Sequence, residues 1–100
     1  MLIRKTQEDE AIILAIEGKL STITSQQLQD ELMPAFDQSS RVILDFQGVE
    51  YVASAGLRVL FSGYETATSK SAEMILRGVT DDIMEIFEMT GFVDFLTIEQ

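Results

Sequence analysis

The sequence contains no cysteine and no histidine among its 100 residues. Without cysteine the chain cannot form a disulfide, use a thiol nucleophile or hold a cysteine-based zinc or iron–sulfur site, and this fits a reducing compartment. Without histidine it lacks the side chain that most often ligates metals and transfers protons at neutral pH. We therefore expect no metal site and no cofactor.

Basic residues and long apolar runs are also scarce. Seven Lys and Arg residues against seventeen Asp and Glu residues give a formal net charge of −10, which disfavours contact with nucleic acids and anionic membranes. The longest apolar run, Ala11 to Ile16, is too short to span a bilayer, and the first residues do not resemble a signal peptide. We expect a cytoplasmic protein that binds neither nucleic acid nor membrane.

The remaining composition is that of a globular domain. Hydrophobic residues make up 46% of the chain and charged residues 24%, values that are typical of a folded soluble protein. A chain of this length holds one hydrophobic core, and the sequence shows no internal repeat, flexible linker or low-complexity tract. We therefore expect a single domain over residues 1–100.

Periodicity in the sequence predicts five strands. The first two form a hairpin around the acidic turn 8–10, and Gly18 is expected to end the second of them. The third is a short β-branched run that we expect at the centre of the sheet. The predicted strands are Leu2 to Gln7, Ala11 to Glu17, Arg41 to Asp45, Glu73 to Leu76 and Phe92 to Ile98.

Helical spacing predicts three helices between these strands. Thr24 begins a capping-box pattern for the first helix, and Pro34 lies near its end, where it should make the last turn irregular. The second helix is predicted from Ala55 to Thr68, and the third follows Thr80 and stops at Gly91. The resulting order, ββαβαβαβ, predicts an α/β fold with a mixed sheet and right-handed crossovers.

Ser54 is the first candidate site, because it lies where the loop after a buried strand turns into the second helix. A hydrolase is disfavoured, because there is no histidine base and the surrounding Ala-Ser-Ala-Gly lacks the Gly-x-Ser-x-Gly pattern; only an unusual Ser–Lys pair would remain. Ser54 could instead cap the helix through its hydroxyl. It could also accept a phosphate, which the free N–H groups and positive end of a helix would tolerate.

Asp45 is the second candidate, because it ends the predicted central strand. Sheets of this class hold ligands at such strand ends, and a response-regulator receiver would carry its phosphorylated aspartate there. A receiver would also need an acidic cluster for Mg²⁺, whereas Glu17 is the one acid near the end of the neighbouring strand, and this chain opens with a hairpin. We therefore expect a turn-capping role for Asp45.

The segment from Val42 to Leu60, VILDFQGVEYVASAGLRVL, resembles the signature of STAS domains, and in particular of bacterial anti-sigma-factor antagonists. The resemblance extends to the Glu-Gly-Lys-Leu of residues 17–20 with the Ser/Thr-rich segment after it, and to residues 86–92, IFEMTGF. It covers nearly the whole chain and agrees with the predicted order of elements. It implies a mixed sheet with helices packed mainly on one side.

The resemblance also implies a function without catalysis by the domain itself. Such antagonists, when unphosphorylated, bind a GHKL-type anti-sigma serine kinase and so free the sigma factor that the kinase sequesters. Phosphorylation cancels the interaction, and a PP2C-like phosphatase reverses the modification. The acceptor position falls on Ser54, and the implied partner-binding residues are Ser21, Thr22, Ala53, Ser54, Ala55, Gly56, Leu57 and Arg58.

Two positions depart from the family pattern. Many members carry an acidic residue immediately before the acceptor, where this chain has Ala53, and another after the Gly-x-Leu of the second strand, where it has Ser21. The alternative function is therefore a non-phosphorylated STAS scaffold or ligand-binding module in another signalling or transport complex. Whether the chain also forms a homodimer stays open at this point.

Overall fold

A computed structural model describes residues 1–99 of the chain, which form a five-stranded sheet and three α-helices. The predicted order of elements, ββαβαβαβ, is confirmed. The bounds are β1 Leu2–Glu8, β2 Ala11–Leu20, α1 Thr24–Gln38, β3 Arg41–Val52, α2 Ser54–Ser69, β4 Glu73–Arg77, α3 Asp81–Thr90, a 3₁₀ helix Phe92–Asp94 and β5 Thr97–Glu99.

The order of strands in the sheet is their order in the sequence, β1-β2-β3-β4-β5. β1 pairs with β2 in the antiparallel sense, and every later pair of neighbours is parallel. Because each crossover steps to the next strand in the same direction, right-handed connections place all three helices on one face. The mixed sheet with one helical side is therefore confirmed, and β3 is its central strand, as predicted.

The hydrophobic core lies between the helices and the face of the sheet that they cover. Leu14 and Phe46 from the sheet and Leu28, Leu60 and Phe87 from the three helices are all fully buried in it. A second, smaller cluster lies on the opposite face of the sheet and consists of Ala11, Ile13, Ile43 and Ile75. The centre of the sheet is thus apolar on both faces, which explains the unbroken apolar run at the start of β2.

The predicted hairpin is confirmed, and its turn is strained. Asp9 and Glu10 connect β1 to β2 with φ angles of +49° and +68°. A two-residue loop with positive φ at both positions has the type I′ sign pattern, which matches the twist of the strands but favours Asn-Gly. Asp9 and Glu10 both have a Cβ atom, so the left-handed conformation costs them free energy, whereas glycine adopts it without steric cost.

Two predicted strand ends are wrong. Gly18 does not end β2, because it takes a φ of +106° at a register irregularity and the strand continues to Leu20. Likewise β3 does not end at Asp45 but continues to Val52. The register shifts after Ala15 and after Gly18 keep the two strands paired over this extra length. The sheet therefore reaches further towards the N-terminus of α2 than predicted.

The predicted last strand, Phe92 to Ile98, is wrong over its first half. Residues Phe92–Asp94 form a 3₁₀ helix, and β5 is limited to Thr97–Glu99. The rings of Phe92 and Phe95 contact each other with their centroids 4.8 Å apart. Residues three apart meet in a helical turn but point to opposite faces in a strand, so this contact selects the turn.

The helices end close to their predicted positions. The Thr80 hydroxyl accepts a hydrogen bond from Ile83 N at the start of α3, and Gly91 ends that helix in the left-handed region. α1 passes through Pro34 and continues to Gln38. Within residues 1–99, no helix has both the length and the apolar character that a bilayer crossing requires.

Replacing Glu10 with glycine (E10G) should stabilise the fold by about 1 kcal/mol, because glycine removes the left-handed strain at this turn. A gain of that size raises the melting temperature by roughly 4–8 °C for a small domain, and thermal unfolding followed by circular dichroism would measure it. Q7G is the control, since Gln7 lies in the extended backbone of β1, where glycine lowers stability. A melting temperature for E10G at or below that of the parent would contradict this account.

Candidate functional site

Ser54 is the first residue of α2, and its side chain is exposed to solvent. The N-cap residue is Ala53, in extended conformation, and no side chain caps this helix. The alternative in which the Ser54 hydroxyl caps the helix is therefore wrong. Within the helix, Leu57 N donates to Ala53 O at 3.1 Å, so the N–H groups of residues 54–56 have no partner in the helix itself. A free hydroxyl thus stands at the positive end of α2.

The end of β2 holds the first turn of α2 in place. Ala53 N donates a hydrogen bond to Leu20 O at 2.8 Å. Gly56 is buried in the same turn, and a Cβ atom there would lie 3.0 Å from both Leu20 Cβ and Val52 Cγ1. The absence of a side chain at Gly56 therefore lets α2 approach the sheet. Gly56 was predicted among the partner-binding residues, but it faces inward.

Ser21 and Thr24 hold the turn between β2 and α1. Thr24 Oγ1 accepts a hydrogen bond from Ser21 N at 2.7 Å, and Ser21 Oγ accepts one from Thr24 N at 3.2 Å. These reciprocal bonds have the form of a capping box, but they close the turn before α1, whose N-cap residue is Ile23 and has no side-chain cap. The predicted capping box beginning at Thr24 is therefore wrong. Ser21 is thereby partly buried and engaged in the fold, whereas Thr22, the next residue, is exposed.

Two large apolar side chains at this edge of the sheet are exposed. Ile23, in the turn before α1, is 83% exposed, and Tyr51, near the end of β3, is 52% exposed. The register brings the two strand ends together, because Lys19 pairs with Tyr51 and Leu20 with Val52. Neither residue was among the predicted site residues. Both lie outside every predicted strand and helix, and Ile23 has a threonine on each side.

A shallow groove of about 240 Å³ separates the N-terminal halves of α1 and α2. Arg58 is the one basic residue in its lining, and it lies one helical turn after Ser54. The lining residues are Thr22, Ser25, Gln26, Gln29, Ala55, Arg58, Val59 and Ser62. Six of the eight lining residues are polar, so the groove offers hydrogen-bonding groups beside its apolar surface.

The structure brings the predicted partner-binding residues to one edge of the molecule. Ser21 and Thr22 lie at the end of β2, next to the segment Ala53–Arg58 at the start of α2. Within this segment Ser54 and Arg58 are exposed, whereas Leu57 is half-buried and packs against the core. The available surface therefore consists of Thr22, Ser54, Arg58 and the two apolar side chains of Ile23 and Tyr51.

Asp45 does not take part in this edge. It lies within β3, seven residues before the end of the strand, and its Oδ1 accepts a hydrogen bond from Gln47 N at 3.0 Å. This is the local backbone bond expected of a capping aspartate. Within the part of the chain that the structure describes, no three acidic side chains lie close enough together to hold a metal ion. The geometry gives no support to a receiver-type site.

Comparisons with known proteins agree with this architecture. A family model described as the STAS domain matches residues 3–100. The chain is 29% identical over 91 residues to a Bordetella bronchiseptica protein provisionally named anti-sigma factor antagonist BtrV, with 90% of this chain and 78% of that protein covered. It is 25% identical over 99 residues to the anti-sigma-B factor antagonist of Staphylococcus aureus NCTC 8325, with 98% of this chain and 92% of that protein covered.

Solved structures share the fold at low sequence identity. The crystal structure of a provisionally assigned anti-sigma factor antagonist from Thermotoga maritima has a TM-score of 0.90 at 14% identity and covers 98% of this chain and 86% of that chain. The phosphorylated form of SpoIIAA, a Bacillus cell fate determinant, has a TM-score of 0.76 at 13% identity and covers 99% of this chain and 92% of that chain. The likeness confirms the predicted fold class.

Replacing Gly56 with alanine (G56A) should lower the free energy of unfolding by about 1–3 kcal/mol, because the added methyl group overpacks the contact with Leu20 and Val52. This is the opposite of the usual helix preference, in which alanine is better than glycine by about 1 kcal/mol. Urea unfolding measures the difference. T68A, exposed on the same helix, is the control and should be neutral or stabilising. A G56A variant more stable than the parent would disprove the close approach.

Proposed function

This chain belongs to the STAS domain family, and we propose that within it the chain is an anti-sigma-factor antagonist that acts by partner switching. Both relatives cited above are named as anti-sigma factor antagonists, one of them provisionally, and the matches cover 90% and 98% of this chain. The observation that carries the proposal is the exposed Ser54 hydroxyl on the first residue of α2. It stands at the position that corresponds to the phosphoacceptor in the resemblance.

In the proposed cycle, the unphosphorylated chain binds a GHKL-type anti-sigma serine kinase in the cytoplasm and so frees the sigma factor that this kinase sequesters. Ser54 is a substrate and not a catalyst. Its oxygen attacks the γ-phosphorus of ATP held by the kinase, the bond to ADP breaks, and the hydroxyl proton passes to a base of the kinase. A PP2C-like phosphatase hydrolyses the phosphoester and restores the binding form.

The electrostatics of α2 explain how one modification changes binding and preserves the fold. A phosphoryl group adds a charge of about −1.5 to −2 at neutral pH. The free N–H groups and positive end of α2 offset part of that charge. Arg58, four residues after Ser54 on the same helix, can approach the phosphate from the next turn. A docked kinase, by contrast, would have to bury a dianion in the interface, which is unfavourable.

The proposed contact surface includes Ile23 and Tyr51 as apolar anchors. Large apolar side chains that become buried at the centre of an interface supply most of its affinity. Both lie near the paired ends of β2 and β3, and Ala53, the residue before Ser54, is hydrogen-bonded to Leu20 at the end of β2, so in the proposed complex the kinase covers these anchors and the hydroxyl together. In this arrangement the anchors provide affinity, and the phosphorylation state of Ser54 controls it.

The alternative function, a non-phosphorylated STAS scaffold, is favoured by the same two sequence departures. Ala53 and Ser21 stand where many family members carry acidic residues. Ser21 is also engaged in the turn before α1 through its bonds with Thr24. The two functions differ in one measurable property, since only the partner-switching protein gains a phosphoryl group.

Replacing Ser54 with aspartate (S54D) should weaken binding to a candidate cognate anti-sigma kinase at least tenfold, because the added carboxylate would be buried in the interface without a partner. S54A should bind as the parent does. Isothermal titration calorimetry measures both affinities. The control is S69D, which adds the same charge to the exposed last residue of α2, about 22 Å away along the helix axis. Equal affinities for S54D and the parent would count against the switch.

Incubation with the kinase and ATP, followed by intact-mass measurement, should show a gain of one phosphoryl group for the parent chain and none for S54A. A gain that persists in S54A would assign the phosphate to another residue. If the parent gains no mass with any kinase that binds it, the non-phosphorylated scaffold is the correct function.

Replacing Ile23 with serine (I23S) should lower the affinity for the same kinase about tenfold, because the interface loses an apolar anchor. Unfolding stability should stay near that of the parent, since Ile23 is 83% exposed in the free chain. M89S is a matched control: Met89 is 79% exposed but lies on α3, outside the proposed surface. If I23S and M89S bind equally well, Ile23 is not part of the interface.

A further inference from the structure

The sheet face opposite the helices, here called the open face, carries rows of side chains that run across the strands. Paired residues on neighbouring strands point to the same face, so the register defines each row. No helix of residues 1–99 contributes to the small apolar cluster on this face. The central row of the open face is Thr6, Ile13, Ile43, Ile75 and Thr97.

Two charged rows flank the central row, one on each side. The upper row is Arg4, Ala15, Asp45, Arg77 and Glu99. The lower row is Glu8, Ala11, Arg41 and Glu73. Glu8 pairs with Ala11 and Arg41 pairs with Glu73, and the two halves adjoin because the next residues of β2 and β3, Ile12 and Val42, pair with each other. In each row the residue of β3 and the residue of β4 carry opposite charges. The residue that β2 contributes to each row is an alanine.

The open face is almost neutral on a strongly acidic chain. Its two charged rows contain three of the four arginines in the sequence and four acidic residues, and Glu17, which pairs with Leu2 on the same face and forms an ion pair with Arg4, adds a fifth acid. These residues give a net charge of −2, whereas the whole chain carries −10. Two copies of the chain therefore repel each other much less through this face than through the rest of their surfaces.

The open face is complementary to itself about one two-fold axis. Consider a two-fold axis that lies above the central row and runs perpendicular to the strands. Rotation about it places each strand opposite the same strand of the second copy, and it places the upper row of one copy opposite the lower row of the other. Every charged pair that this operation creates has opposite signs, and the two alanines meet each other. The facing pairs are Arg4 with Glu8, Ala15 with Ala11, Asp45 with Arg41, and Arg77 with Glu73.

The other in-plane axis lacks this complementarity. A two-fold axis parallel to the strands through β3 would place the upper row opposite itself. Asp45 would then face Asp45 of the second copy, and Arg41 would face Arg41. Like charges placed directly opposite each other cost free energy, so the charge pattern selects the axis across the strands.

We propose that two copies of the chain associate through their open faces about the axis across the strands. Sheets that pack face to face with aligned strands lie about 10 Å apart, a distance that the small and β-branched side chains of the central row suit. Ile13, Ile43 and Ile75 are each already at most 7% exposed in one copy, so the contact buries little further apolar surface. The pairing of opposite charges between the two copies therefore sets the specificity of this contact.

The size of the open face indicates a weak dimer. Five strands spaced about 4.8 Å apart give a face about 20 Å wide. A contact over a face of this width buries less accessible surface than the roughly 800 Å² per partner of a standard interface. We therefore expect a reversible dimer that forms at micromolar or higher concentrations. Ser54 lies on α2, on the helical side of the sheet, so both copies keep it exposed. The dimer is thus independent of the proposed kinase interaction.

Sedimentation equilibrium of the full chain, from about 10 µM to about 1 mM, should show a monomer–dimer equilibrium. R4E should raise the dissociation constant at least tenfold, because the two-fold axis turns one substitution into two like-charge contacts with Glu8. The double variant R4E/E8R exchanges the charges and should restore most of the affinity. K5E is the matched control, since Lys5 pairs with Leu14 and so lies in β1 on the other side of the sheet.

Folding of each variant is checked by thermal unfolding, since R4E also removes an exposed ion pair with Glu17 at 3.0 Å. Such a pair contributes little to stability. A parent chain that is monomeric at about 1 mM, equal weakening by R4E and K5E, or a double variant no better than R4E would each overturn the proposal.

Cross-linking tests the axis directly, because the chain has no native cysteine. Thr6 belongs to the central row and faces its own copy across the axis, whereas Gln7 pairs with Ile12 on the other side of the sheet. A short bis-maleimide should therefore link T6C into a covalent dimer and leave Q7C monomeric. Equal linkage of the two variants would reject the face-to-face arrangement.

Discussion

The site depends on the contact between the first turn of α2 and the end of β2. Ala53 N donates to Leu20 O at 2.8 Å, and Gly56 lies against Leu20 and Val52 with no side chain between them. These contacts fix the direction of α2 at its first residue. Since the backbone of this turn is held, Ser54 can present its hydroxyl to solvent, and a change at that hydroxyl need not disturb the core. The irregularity at Gly18, which carries β2 on to Leu20, is therefore part of the site.

The order and type of the elements could be predicted because apolar residues recur at a spacing that differs between strands and helices. α2 is the clearest case, since the apolar residues predicted between Ala55 and Thr68 recur at helical spacing. Strand ends could not be predicted in the same way. Gly18 has a φ of +106° inside β2, and a glycine that permits a bulge looks the same in a sequence as one that ends a strand. The ring contact between Phe92 and Phe95 likewise appears only when the chain turns.

The candidate site could be predicted only in part. Ser54 was identified from its place at a helix start and from the family resemblance, and the structure confirms that it is exposed at the start of α2. The exposure of Ile23 and Tyr51 and the burial of Gly56 depend on how β2, β3 and α2 meet, which a local pattern does not contain. The same is true of the open face, where Arg4 and Arg77 share a row through three successive strand pairings.

The strand order, which follows the sequence from β1 to β5, has a consequence for synthesis on the ribosome. Each strand pairs with the one made before it, so no strand has to wait for a segment that is made later. The nascent chain can add one strand and helix at a time to the growing edge of the sheet. The hairpin of β1 and β2 emerges before the other strands of the sheet and provides the template on which the later units assemble.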